Sequence, residues 1–181
     1  MKHWYTADPH FFHLNILKHC NRPFATIEAM NAALVANIQT KVQRHDHLWF
    51  VGDFSFRANK GDNLAGLFAQ IPGQKHLIRG NHDGKTVENL PWASKHDRYE
   101  VHDGKHRFFL DHYPLLTWPG IRHGCVQLFG HVHQNWAGSN RSVNVGVDFW
   151  DFAPMDAEAI LARVPNQPKL PFLDELEPGL R

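Results

Sequence analysis

Leu48-Trp49-Phe50-Val51-Gly52-Asp53 and His76-Leu77-Ile78-Arg79-Gly80-Asn81-His82-Asp83 read alike: a short apolar or mixed run, a glycine, then side chains able to hold a metal. The run 48–51 suits a strand buried on both faces, and 76–79 a second of the same kind. Upstream, His3 to Ala7 reads as a strand that ends in Asp8-Pro9-His10, with His13 close behind. Helices fall between these strands. Thr26 is placed to cap one running to about Arg44, with its apolar stripe at Ile27, Met30, Leu34, Ile38 and Val42. Asp62 is placed to cap another carrying Leu64, Leu67, Phe68 and Ile71, stopped by Pro72-Gly73. The first half is therefore β-α-β-α-β, which predicts parallel strands with right-handed crossovers.

The second half changes character. Segments 98–102, 107–112, 125–130 and 142–148 read as strands joined by turns such as Asp103-Gly104, with antiparallel or mixed pairing. A short helix follows at 156–164. The expected architecture is α/β (α+β): two sheets face to face with helices outside. The 181 residues fit one domain, 1–164. The tail 165–181 holds four prolines and reads as an extended strap or a disordered end.

A net charge of +1 gives no global field toward nucleic acid or anionic lipid. There is no basic run or interleaved Arg/aromatic stripe, which argues against a nucleic-acid-binding module. Two cysteines, Cys20 and Cys125, read as free thiols in a reducing compartment. No apolar stretch has the length of a signal peptide or membrane span, so the expected location is the cytoplasm, with no membrane partner. Histidine is abundant, at 15 residues; His45, His47, His96, His102, His106 and His123 lie in polar surroundings and are expected at the surface. Trp92, Trp118 and Trp136 lie between the clusters and read as packing onto their own domain rather than stacking on a ligand.

Each strand ends in metal-capable side chains: Asp8-x-His10, Gly52-Asp53, Gly80-Asn81-His82-Asp83, Asp111-His112 and Gly130-His131-x-His133. Ligands of open α/β sheets bind beyond the carboxyl ends of the strands, so five such ends converge on one crevice. In Asp8-x-His10 and His131-x-His133, residues two apart in extended chain point the same way. Glycines 52, 80 and 130 let backbone turn sharply or approach a ligand closely. Imidazole mixed with carboxylate suits Zn, Mn or Fe better than Ca. Asp111 would point away from His112 and reads as structural. Asp148 is open between the two roles.

These motifs, in this order across roughly residues 5 to 150, resemble the calcineurin-like metallophosphoesterase superfamily. Asp8-Pro-His-Phe-Phe-His-Leu-Asn-Ile and Asn144-Val-Gly-Val-Asp148 are similar to its compact bacterial and phage members. The resemblance implies a four-layer sandwich of two mixed sheets flanked by helices. It implies two divalent ions, drawn from Mn, Fe, Zn, Ni and Mg, with Mn foremost. Asp8, His10 and His133 would bind the first, Asn81, His112 and His131 the second, and Asp53 both. His82 would face the substrate phosphate as general acid, with Asp83 or a backbone group orienting its ring, while a metal-bridging hydroxide attacks. The implied activity is hydrolysis of a phosphate ester, a phosphodiester such as a nucleotide, cyclic nucleotide or nucleic-acid end before a small phosphomonoester. A non-catalytic metal-binding scaffold is the alternative of another class. The implied partner is a small phosphoester, with no obligate protein partner. The protein Ser/Thr phosphatase branch has Gly-Asp-x-x-Asp-Arg; here Phe56 replaces the second Asp, which argues against that branch. Arg57 is a candidate phosphate contact or a plain surface residue. His13 lines the substrate pocket or supports a ligand from behind; Arg22 and Arg79 are candidate phosphate contacts or structural pairs.

Overall fold

The computed structural model describes residues 1–56 and 62–176. Along the chain run β1 (His3–Thr6), α1 (Ile16–His19), α2 (Ile27–Lys41), β2 (His47–Val51), α3 (Leu64–Gln70), β3 (Gln74–Ile78), α4 (Lys85–Glu88) and β4 (Ser94–His96). The second half holds β5 (Arg98–Asp103), β6 (His106–Asp111), β7 (Val126–Phe129), β8 (Gly138–Ser139), β9 (Ser142–Asn144), α5 (Ala157–Arg163) and α6 (Pro171–Leu176).

One sheet has the order β1-β2-β3-β4, all parallel, as the β-α-β-α-β reading requires. Alternation along β2 explains its unbroken apolar run. Leu48 and Phe50 pack on Met30, Leu34 and Ile38 of α2 and on Leu67 and Phe68 of α3. Trp49 and Val51 join the opposite cluster with Phe108, Leu110, Leu128 and Val143. That cluster is the seam between the two sheets. Removing a fully buried ring such as Phe50 would cost about 3–5 kcal/mol.

The second sheet has the order β5-β6-β7-β9-β8 and is mixed: β5–β6 and β8–β9 antiparallel, β6–β7 and β7–β9 parallel. Its other face carries Phe109, packed with Trp118, Ile121 and Cys125 from an irregular segment. The end of β1 is tied to the second half, where Ala7 N donates to Val145 O and Val147 N to Ala7 O, at 2.9 and 3.0 Å.

Several boundaries differ from the sequence reading. Asn63, not Asp62, caps α3: its side-chain oxygen accepts from Gly66 N at 2.8 Å. Strand β4, Ser-Lys-His, carries no apolar residue and so has no strand signature. Residues 147–149 form a 3-10 turn rather than the end of a strand. The tail is not simply extended, since Pro171 opens α6 at a position where its missing N–H is no loss. Leu173 is buried there.

At the starting ends of the first sheet the histidines are organised too. His3 stacks on His47 at 4.6 Å, His47 Nδ1 lies 2.9 Å from His76 Nε2, and Ser94 Oγ contacts both His76 Nδ1 (2.8 Å) and His96 Nε2 (2.9 Å). His47 and His96 are therefore half-buried members of a seam, against the expectation of plain surface residues. No helix among the described residues is long and apolar enough to cross a membrane.

Candidate metal centre

The loops after β1, β2 and β3 run side by side beyond the sheet. Asp8 N donates to Gly52 O, His10 N to Asp53 O and Phe11 N to Phe54 O, at 2.9–3.1 Å. Asp83 staples them from below. Its carboxylate accepts from the backbone N–H groups of Asp53, Phe54 and Gly80, at 2.8–2.9 Å. Asp83 is thus committed to backbone and does not orient the His82 ring. That ring packs instead edge-on against Phe56 at 4.4 Å and against His10 at 5.4 Å, while His82 N donates to Asp53 Oδ1 at 2.9 Å.

The expected ligands gather on this scaffold. Asp8, His10 and Asp53 form one group of donors whose atoms lie within 4.8 Å of one another, and Asp53, His112 and His131 form a second. Asp53 is common to both. Asn81 Oδ1 lies 3.1 Å from His112 Nε2 and 3.0 Å from His131 Nδ1. His133 sits beside His10, ring centroids 5.2 Å apart, and falls in a third group with Cys20 and Asp148. Asp8, His10, Asp53 and His112 are buried; His82, His131 and His133 are half-buried; Asn81 is exposed. The site has a dry floor and an open rim.

Close approach explains two glycines. At Gly52, with φ of +88°, an added Cβ would stand 2.1 Å from His112 Nδ1. At Gly130 it would stand 2.6 Å from Asp8 Oδ2. The backbone is strained as well: Asp8, His10, Asp53, His131 and His133 all have φ between +46° and +69°. Non-glycine residues there cost energy, and such strain concentrates at functional sites.

The charges are coupled. Burial pushes the Asp8 carboxyl up to about 6, against the pull of His112 and His133. Burial opposes charge on Asp53 too, but its hydrogen bond to His112 and the nearby imidazoles hold it down to about 2. Burial disfavours His112 imidazolium, yet the bond to Asp53 and the charges of Asp8 and Asp53 raise it to about 9. Among the described residues His10 Nε2 is a buried side-chain nitrogen with no hydrogen-bond partner; Asp53 Oδ2 is 3.5 Å away. Unpartnered buried nitrogen between two carboxylates is what a cation would satisfy. The donor set fits divalent transition metals.

Several further residues take their roles only from the fold. The residue Asp148 is half-buried with its side chain shut off from solvent, and its Oδ2 holds His133 Nδ1 at 3.1 Å, the supporting role usual behind a metal-bound histidine. Arg22 is buried: it grips Asp148 and donates to the carbonyls of Asp8 (2.8 Å) and Pro9 (3.0 Å). It is a structural clamp, not a phosphate contact. Arg79 pairs with Glu88 and Asp97 at the surface. Asp111 accepts from Tyr113 N and is structural, as read. Trp92 packs with Phe50, Phe54 and Phe68, Trp118 is buried, and Trp136 stacks on Phe129. Arg57 lies outside the described residues.

Two cavities flank His82. One of about 350 Å³ is lined by Ser55, Phe56, Asn81 and Thr86. The other, about 290 Å³, is lined by His10, His13, His19, Cys20 and His133. A larger groove of about 400 Å³ lies along α2 and α3, but it contains none of the expected ligands and only Glu28 as an ionisable group.

The protein MJ1445 of Methanocaldococcus jannaschii is 32% identical over 162 residues, spanning 86% of each chain. The chain belongs to the family of that archaeal protein. The Gene 66 protein of Mycobacterium phage L5 is 26% identical over 180 residues, covering 81% of this chain and 86% of its own. No family model matches. Among solved structures, AQ665 from Aquifex aeolicus, a protein of unknown function, superposes with a TM-score of 0.73 at 22% identity, over 88% of this chain and 97% of its own. The two share a fold. Yfce, a phosphoesterase from E. coli, is 20% identical over 81% of this chain and 78% of its own, with a TM-score of only 0.45, too loose to carry an argument.

Proposed function

We propose that this chain is a dinuclear metal-dependent phosphoesterase acting on phosphodiesters of the nucleotide class. The observation that carries this reading is Asp53, shared by two groups of three donors beside the unpartnered His10 Nε2. Asp8, His10 and His133 would hold one ion, and Asn81, His112 and His131 the other. Divalent ions so held supply Lewis acidity and a water-derived nucleophile at neutral pH. Mn²⁺ is the first choice, with Fe, Zn, Ni and Mg behind it.

His82 stands at the rim, its Nε2 3.9 Å from Asp53 Oδ2 and its side chain about one-third exposed. A ring N–H there is placed to donate to a phosphoryl oxygen or to the leaving alkoxide. Phe56 and His10 limit the swing of the ring. The cavities on either side of His82 leave room for two substituents on one phosphorus, which supports a diester over a monoester. Cys20 and Cys125 are buried in separate clusters, which supports a reducing compartment such as the cytoplasm.

Hydrolysis of bis-p-nitrophenyl phosphate and p-nitrophenyl phosphate under Mn²⁺, with metal content measured in parallel, tests the proposal. His82→Ala is expected to lower kcat by about 10²–10⁴-fold with Mn²⁺ content unchanged. Asp53→Asn is expected to lose both metal and turnover. Wild-type turnover in both variants would overturn the assignment.

A further inference from the structure

The candidate ligands are not anchored alike. His112 Nδ1 donates to the carbonyl of Val51 at 3.0 Å, and His133 Nδ1 faces the Asp148 carboxylate at 3.1 Å. Both use an oxygen, the usual partner behind a metal-bound imidazole. His10 differs. Its Nδ1 faces another ring nitrogen, Nδ1 of His13, at 3.2 Å.

Two facing imidazole nitrogens need one proton between them. If His13 Nδ1 carries it, neutral His10 bears its own proton on Nε2. That atom is buried and makes no hydrogen bond among the described residues, its nearest carboxylate oxygen, Asp53 Oδ2, standing off at 3.5 Å, so the arrangement leaves a poorly satisfied N–H and no lone pair for a cation. If His10 Nδ1 carries it, His13 accepts, and Nε2 presents its lone pair beside Asp8 and Asp53. Only the second arrangement serves the group Asp8, His10 and Asp53.

We propose that His13 is a positioning residue: its Nδ1 accepts from His10 Nδ1–H and so fixes the His10 tautomer that offers Nε2 to a metal. The inference rests on the two-metal reading above. His13 is held for the task, because its backbone N donates to His10 O at 3.1 Å and its ring lies 4.6 Å from that of Phe56.

Calorimetric titration of Mn²⁺ into the metal-free wild type, His13→Leu and His13→Asn tests it. Leucine keeps bulk and removes the acceptor. Asparagine puts an amide oxygen close to where Nδ1 stands. The wild type is expected to show two sites. His13→Leu is expected to weaken one of them by about 10–100-fold. His13→Asn is expected to restore it, with the metal-free thermal midpoints of all three alike. Long-range ¹H–¹⁵N spectra are expected to show unprotonated His10 Nε2 in the wild type and in His13→Asn, and a tautomer mixture in His13→Leu. Unchanged affinity in His13→Leu, or equal loss in both variants, would overturn the role of His13. A wild type that binds fewer than two Mn²⁺ would overturn the two-metal reading, and this inference with it.

Discussion

Arg22 grips Asp148 at two points, Nε to Oδ1 at 2.8 Å and Nη2 to Oδ2 at 3.0 Å, across 126 residues of chain. Solvent reaches neither side chain. The pair links the segment between α1 and α2 to the turn after β9. Breaking a buried pair strands a charge at about 3–5 kcal/mol. Arg22→Met is therefore expected to lose that much in urea unfolding. Arg22→Lys should recover little, because a point charge cannot reproduce the two-pronged contact. Unfolding within about 0.5 kcal/mol of wild type, the range of ordinary surface changes, would contradict the clamp.

Gly52→Ala brings a methyl to 2.1 Å from His112 Nδ1, at a φ of +88° that alanine resists. His112 must leave Val51 O. The variant is expected to unfold at lower temperature and to bind fewer Mn²⁺ than wild type. Gly84→Ala is the control, since nothing among the described residues lies within 4 Å of its added Cβ. Its thermal midpoint should match wild type. Equal behaviour of the two variants would refute the crowding at position 52.

Metal uptake should release protons. His112 is raised to about 9 by Asp53 and Asp8 despite its burial, so it is charged at pH 7 before metal arrives. A ligand must be neutral. Burial opposes charge on His133 as well, but its bond to Asp148 raises it to about 10, so Mn²⁺ affinity is expected to rise from pH 6 toward about 10, where the release fades. At pH 7 the binding enthalpy should differ between buffers of different ionisation enthalpy. Identical enthalpies would remove both His112 and His133 from the ligand set.

The histidine seam predicts acid lability. Burial lowers His76 from 6.5 to about 4, and burial lowers His3 and His96 as well. Below about 6.5 the unfolded chain takes up protons that the folded chain refuses. This contribution to stability is complete above that pH and drains away down to about 4. Urea midpoints at pH 7 and pH 5 check it, and His76→Gln should shrink the difference. An undiminished difference in that variant would exclude His76 as the cause.

What the sequence made legible follows from the range over which each signal acts. The parallel core was readable because Leu48 to Val51 must serve two faces and the α2 stripe one. The ligand clusters were readable because each lies within four residues of a strand end. Asp62 and Asn63 are adjacent and both able to cap, so composition could not choose between them. Val145-Gly-Val-Asp148 has strand chemistry, yet Val147 N returns to Ala7 O and bends the chain into the turn that sets Asp148 behind His133. Arg22 and Asp148 recognise each other only once the fold is complete, and no local pattern announces such a pair. Asp83 looked like a partner for its neighbour's ring because the three amides it serves belong to two loops that meet only in three dimensions.

The left-handed backbone at Asp8, His10, Asp53, His131 and His133 has an evolutionary consequence. Aspartate and histidine adopt that conformation more readily than most side chains but still at a cost, and glycine accepts it freely. A descendant relieved of its chemistry would therefore gain stability by replacing the half-buried His131 or His133 with glycine, whereas at the buried His10 the cavity left behind would offset the relief. Loss of those two imidazoles would run downhill in folding free energy, and only selection for their chemistry would hold them in place.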